Sequence, residues 1–165
     1  MPISRHPLMQ NTSRNDPARR IPVDQFAASR LSESFAALGP HASRLAPLMY
    51  TKLFARYPAL RRLFPSDMAS QERKLLDSLL MVVDHMREPA RVREYLVGLG
   101  RRHLSYGAAP EHYPIVCRLL VEAIAETSTS NALPWDAALE SEWTQALQIV
   151  SDIMISAGQG PATHH

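Results

Sequence analysis

The sequence has almost no cysteine: Cys117 stands alone, which excludes an intramolecular disulfide and suits a reducing compartment. It also lacks long apolar runs, and none approaches the roughly 20 residues that a membrane-spanning helix needs. The opening residues hold no apolar segment of the kind a secretory signal requires, so cytoplasmic residence is the expectation. No glycine-rich stretch matches a nucleotide-binding loop, and neither paired cysteines nor a histidine pair within one helix offers a metal site. No serine or cysteine sits in a recognisable nucleophile turn. A basic stripe interleaved with aromatics is absent too, so nucleic acid is not an expected partner. His164 and His165, at the very end, are left out of metal reasoning.

What is present is ordinary globular material. Of 165 residues, 45% are hydrophobic and 21% charged, enough to bury one core. The net charge of +2 is small, and Arg5, Arg14, Arg19 and Arg20 put much of the basic excess into the opening stretch, leaving the body near neutral. Residues 1–23 hold Pro2, Pro7 and Pro17 among polar side chains and too little apolar surface to offset the entropy of ordering, so a disordered arm is predicted there. The domain is expected over residues 24–157, with a flexible tail over 158–165.

Helical spacing dominates that domain. After Asp24 as a cap, Phe26, Leu31, Phe35 and Leu38 predict a helix that Gly39-Pro40 stops. A second is predicted from about His41 to Tyr57, kinked by Pro47, followed by a short helical turn from Pro58 to Phe64. Beyond Pro65-Ser66-Asp67, the broad stripe Leu75, Leu76, Leu79, Leu80, Val83 and Met86 predicts a long central helix. Val92, Leu96, Leu99 and His103 fall at steps of four, three and four, one face of a helix that ends on a histidine. Pro110 opens the next, which the polar run from Glu126 to Asn131 closes, and a last helix runs from Pro134 past Trp143 to Gly158. No β-alternation competes. The expectation is an all-α fold of six to seven helices, packed at steep angles that leave room for a flat cofactor.

A histidine ending an apolar face is ordinarily a core or capping residue. Here its neighbours say more. The stretch Arg102-His103-Leu104-Ser105-Tyr106-Gly107-Ala108-Ala109-Pro110-Glu111-His112-Tyr113-Pro114 closely resembles the proximal region of single-domain bacterial haemoglobins and of the globin domain of flavohaemoglobins. Leu48-Met49-Tyr50-Thr51-Lys52-Leu53-Phe54-Ala55-Arg56-Tyr57-Pro58 through Phe64 resembles the second helix of that family and the turn after it, and Trp143 matches a tryptophan of its last helix.

The resemblance implies a globin fold and haem b (iron protoporphyrin IX), with His103 as the proximal iron ligand and Tyr113 close to its second ring nitrogen. Phe64 would wedge against the haem face, and Leu99 would line the proximal side. Tyr50 would point a phenol donor at bound dioxygen. Gln71 resembles the distal glutamine and Leu75 the apolar wall one turn on. The link from Phe64 to Gln71 is shorter than in typical flavohaemoglobins, so a shifted register would present Ser70 or Lys74 instead.

The chain departs from the family where small residues around Ala157-Gly158 replace a glutamate of the proximal network, where Leu147 replaces a tyrosine, and at Pro47. The reductase domains of flavohaemoglobins are absent. The implied function is reversible dioxygen binding for delivery, storage or sensing, with nitric oxide and carbon monoxide as further ligands. The alternatives are a nitric oxide dioxygenase served by a separate reductase, and a haem-free helical interaction domain.

Overall fold

The computed structural model of the protein describes residues 25–159; the expected arm, the Asp24 cap and the end of the tail lie outside them. The described residues form six α-helices and no strand: α1 (Gln25–Leu38), α2 (Leu45–Arg56), α3 (Met68–Asp84), α4 (Pro89–Ser105), α5 (His112–Ser130) and α6 (Ala137–Gly158). Two 3-10 segments, Gly39–Arg44 and Pro58–Leu63, join α1 to α2 and lead on from α2.

The helices begin where local chemistry lets them. Asp67 caps α3 by accepting from the Ala69 amide at 3.1 Å, and Asp136 caps α6 by accepting from the Leu139 amide at 2.7 Å. The last helix therefore starts at Ala137, not at Pro134. The second helix likewise starts later than its pattern suggested, because His41–Arg44 is wound as 3-10. Pro47 thus falls in the first turn of α2, where the missing amide proton has no intrahelical acceptor to lose, and α2 runs unbroken to Arg56. At the start of α5, Pro110 and Glu111 form a turn and the helix begins at His112.

Two further expectations are refined in three dimensions. The polar run from Glu126 to Asn131 closes α5 only at its far end and not at its start: the helix continues to Ser130 with Thr127 and Ser128 buried. Short polar side chains there are satisfied by carbonyls one turn back: Thr129 Oγ1 donates to Ala125 O at 2.9 Å, and Asn131 Nδ2 to Thr127 O at 2.7 Å. Nor is α3 central. Only Leu79 and Val83 of its stripe are buried, and Leu80 is exposed. The most extensive helix contacts are those of α4 on α6 and of α2 on α5. The α4–α6 crossing is close because Gly100 has no side chain: a Cβ there would sit 2.4 Å from the Met154 carbonyl oxygen.

The buried apolar residues divide into two clusters. The larger joins α1, α2, α5 and α6 through Leu31, Leu45, Leu53, Leu119, Ile124 and Trp143, and takes in part of α3. Trp143 is fully buried, its ring 6.2 Å from Phe35 and its Nε1 donating to Ser34 Oγ at 3.3 Å. The smaller cluster holds Val92, Leu96 and Met154, with Tyr95, Leu99 and Tyr113 against it. Between them, α3 and α4 make few contacts with each other, and Val82 of α3 packs on the smaller cluster.

Candidate functional site

The two clusters back two walls, and these carry the residues that the sequence singled out. On one wall, Tyr50 is buried in the middle of α2, within the larger cluster. Phe54 lies one turn further along the helix, with ring centroids 5.9 Å apart. Phe64, brought back by the Pro58–Leu63 turn, meets both edge-on at 5.3 Å. From α3, Gln71 donates its Nε2 proton to the Tyr50 hydroxyl oxygen at 3.1 Å. That bond leaves the phenolic proton of Tyr50 free to donate elsewhere. Burial raises the Tyr50 pKa, a trend that the Gln71 bond opposes and nearby Glu72 adds to, so the hydroxyl stays a neutral donor. Ser70 and Lys74 are exposed, and half-buried Leu75 packs on the larger cluster.

One contributor to this wall escaped sequence reasoning. Arg61 lies 5.2 Å from the centre of the Phe54 ring and donates to the carbonyls of Phe64 at 3.2 Å, Pro65 at 3.0 Å and Ser66 at 3.5 Å. It satisfies the orphan carbonyls at the end of the turn and so holds Phe64 in place. Its signal in the sequence is a basic residue in the last turn of a helical segment, a pattern too common to single it out.

On the other wall, α4 presents Leu99 and, one turn later, His103. The His103 Nδ1 lies 2.9 Å from the Leu99 carbonyl oxygen. An Nδ1 proton donated to that carbonyl leaves Nε2 as the lone-pair nitrogen, the form a metal requires. Burial is the main cause of the lowered His103 pKa, with the Arg102 charge adding to it and the Leu99 bond opposing it, so the ring is neutral at pH 7. Tyr113 packs beside it, ring centroids 6.3 Å apart, but the partner of Nδ1 is the backbone carbonyl and not the Tyr113 hydroxyl. The intervening turn is made possible by Gly107 at φ +91°, and Ala109 N donates to His112 Nδ1 at 3.0 Å. At Gly158 the end of α6 sits against Leu104, where a Cβ would lie in ordinary contact at 3.6 Å.

A cleft of about 320 Å³ opens elsewhere, between α1 and the start of α6, lined by Arg30, Ser34, Asp136 and Glu142; no predicted site residue borders it. Among the described residues no group of three or more His, Cys, Asp or Glu gathers as a metal cage. A single neutral imidazole suits a metal whose other ligands come with a flat apolar cofactor.

The family model for globins matches residues 48–154, which span Tyr50, Gln71, His103 and Tyr113. The chain belongs to the globin family. Membership implies haem, and the donor set and divided core of this globin fit it. A flavohaemoprotein of Deinococcus radiodurans is 30% identical over 127 residues, covering 75% of the globin and 31% of the relative. The globin thus spans about a third of that protein's length. An uncharacterized globin-like protein of Aquifex aeolicus is 25% identical over 119 residues, with 72% and 82% covered. Among solved structures, a bacterial globin from Campylobacter jejuni superposes with a TM-score of 0.71 at 20% identity, covering 82% of this chain and 96% of that one. An engineered carbene transferase, derived from a candidate nitric oxide dioxygenase of Rhodothermus marinus, gives 0.71 at 25% identity, with 81% and 91% covered. No helix among the described residues is long and apolar enough to cross a membrane.

Proposed function

We propose that this globin holds haem b between its two apolar walls, with His103 Nε2 on the iron, and binds dioxygen reversibly on the Tyr50 side. When bound, haem supplies a ferrous iron with one open face for a diatomic ligand. His103 gives a neutral nitrogen whose aim is set by the bond from Nδ1 to Leu99 O. Phe64 and Leu75 keep water from the ligand side, and Leu99 does the same beneath. The observation that carries the reading is the 3.1 Å bond from Gln71 to Tyr50, which holds a buried phenol with its proton available. A charge-assisted donor of this kind is worth about 1.5–3 kcal/mol, or roughly 10- to 100-fold in ligand retention. Stopped-flow measurement of dioxygen release tests it: Tyr50→Phe is expected to speed release by that factor, and an unchanged rate removes Tyr50 from the role.

A second reading has one observation in its favour, the likeness to flavohaemoproteins and to the Rhodothermus protein. In it, the oxygenated protein oxidises nitric oxide to nitrate and a separate reductase returns the iron to the ferrous state. The backbone partner of His103 supports the carrier reading, because a carbonyl raises imidazole basicity less than a carboxylate does. Sustained nitric oxide consumption with NADH and a flavin reductase, beyond one turnover per haem, decides for the enzyme. A chain that retains no haem is instead a helical interaction domain.

A further inference from the structure

The helices α3 and α4 leave the link at residues 85–88 and make few contacts with each other. One side-chain hydrogen bond joins them: Ser78 Oγ and Tyr95 Oη lie 2.8 Å apart, and both residues are half-buried. Its position is symmetric, because Ser78 stands six residues before the end of α3 and Tyr95 six after the start of α4. Val82 and Val92, on the side of this bond nearer the link, border with Leu96, Val150 and Ile153 a small apolar void of about 30 Å³. On the far side lie the functional residues. Gln71 is seven residues from Ser78 and His103 eight from Tyr95, so each is roughly 10–12 Å along its helix from the bond.

We infer that the Ser78–Tyr95 hydroxyl pair is the inner stop of the haem slot, fixing how deep the porphyrin sits and which way round. The inference rests on the haem-binding reading above. Its physical basis is a difference between the two ends of the slot. Toward Gln71 and His103, no side-chain hydrogen bond or ion pair joins α3 to α4 among the described residues. At the inner end they are tied by a directional bond that forbids a flat apolar molecule from sliding on into the void between Val82 and Val92. The tyrosine ring, packed against the Val92, Leu96 and Met154 cluster, gives that stop a rigid backing. Without the bond, α3 and α4 are free to spread, the inner edge loses its limit, and the two orientations of the asymmetric porphyrin become closer in energy. Ser78 and Tyr95 are positioning residues in this account, acting on where the iron lies relative to His103 and Tyr50.

The experiment reconstitutes the full chain with hemin and compares it with Tyr95→Phe, Ser78→Ala, the double variant and Ser78→Thr. Two quantities are read: the rate of haem transfer to excess apomyoglobin, and the ratio of haem orientations from hyperfine-shifted methyl resonances of the cyanide-bound ferric form. Each single loss is expected to speed haem transfer about three- to tenfold and to raise the minor orientation. The double variant should be no worse than either single one, and Ser78→Thr should restore both quantities. Unchanged haem transfer and orientation ratio in Tyr95→Phe overturn the inference while leaving haem binding intact. A drop in apoprotein melting temperature with the orientation ratio unmoved also overturns it, because the bond is then a structural tie alone. If the unaltered chain retains no hemin, the underlying reading fails as well.

Discussion

The two walls of the haem slot are built on different principles. The His103 wall is local: its ligand, the Leu99 carbonyl that orients it and the apolar face it ends all belong to α4. The Tyr50 wall is assembled from three segments, with Tyr50 and Phe54 on α2, Phe64 after the Pro58–Leu63 turn and Gln71 on α3. A wall written within one helix keeps its geometry as long as that helix is seated. A wall made of distant pieces shifts when any of them moves, so on the proposed reading ligand behaviour is tunable on the Tyr50 side while iron attachment stays fixed.

That contrast orders the expected effects of substitution. The largest is His103→Ala, which removes the only side-chain metal donor of its wall; stoichiometric haem should be lost, as read from the absorbance per chain after gel filtration. Next is Gly100→Ala. The added methyl meets the Met154 backbone, so α4 has to lift from α6 and carry His103 with it. Urea unfolding should show a loss of about 2–3 kcal/mol, together with faster haem loss. On the other wall, Gln71→Leu should leave haem retention alone and speed dioxygen release less than Tyr50→Phe does, roughly three- to tenfold, because it frees the phenol to turn without deleting it. The smallest effect is expected from Arg61→Ala. It unties the Phe64 carbonyl turn and should destabilise the fold by about 1 kcal/mol, with a release rate raised no more than about threefold. Equal sensitivity of haem retention to substitutions on both walls contradicts the local-versus-assembled distinction.

The same distinction explains what was legible in the sequence. Spacing along one helix is a sequence property, so the Val92, Leu96, Leu99 and His103 face was plain, and so was α1 through Leu31, Phe35 and Leu38. The Tyr50, Phe64 and Gln71 candidates came from the resemblance, and the structure brings Tyr50 into contact with each of the other two. What spacing does not contain is which apolar stripe meets which. The stripe of α3 looked central, yet only Leu79 and Val83 of it are buried and Leu80 is exposed. Proline position depends on where a helix starts, so Pro47 read as a kink until the 3-10 winding of Gly39–Arg44 placed it in a first turn. The polar run after Glu126 stayed helical because carbonyls one turn back satisfy it, a compensation invisible to composition. Tyr113 packs beside His103, while the partner of the His103 Nδ1 is a backbone carbonyl of its own helix, which spacing does not reveal.

The central claim is that one haem sits between the two walls on His103. The most direct test is the visible spectrum of the purified chain with haem added, reduced and then exposed to carbon monoxide. One haem per chain and a sharp shift to a carbonyl spectrum, both lost in His103→Ala, is the predicted result. Failure of the unaltered chain to retain stoichiometric haem, or a carbonyl spectrum that survives unchanged in His103→Ala, contradicts it.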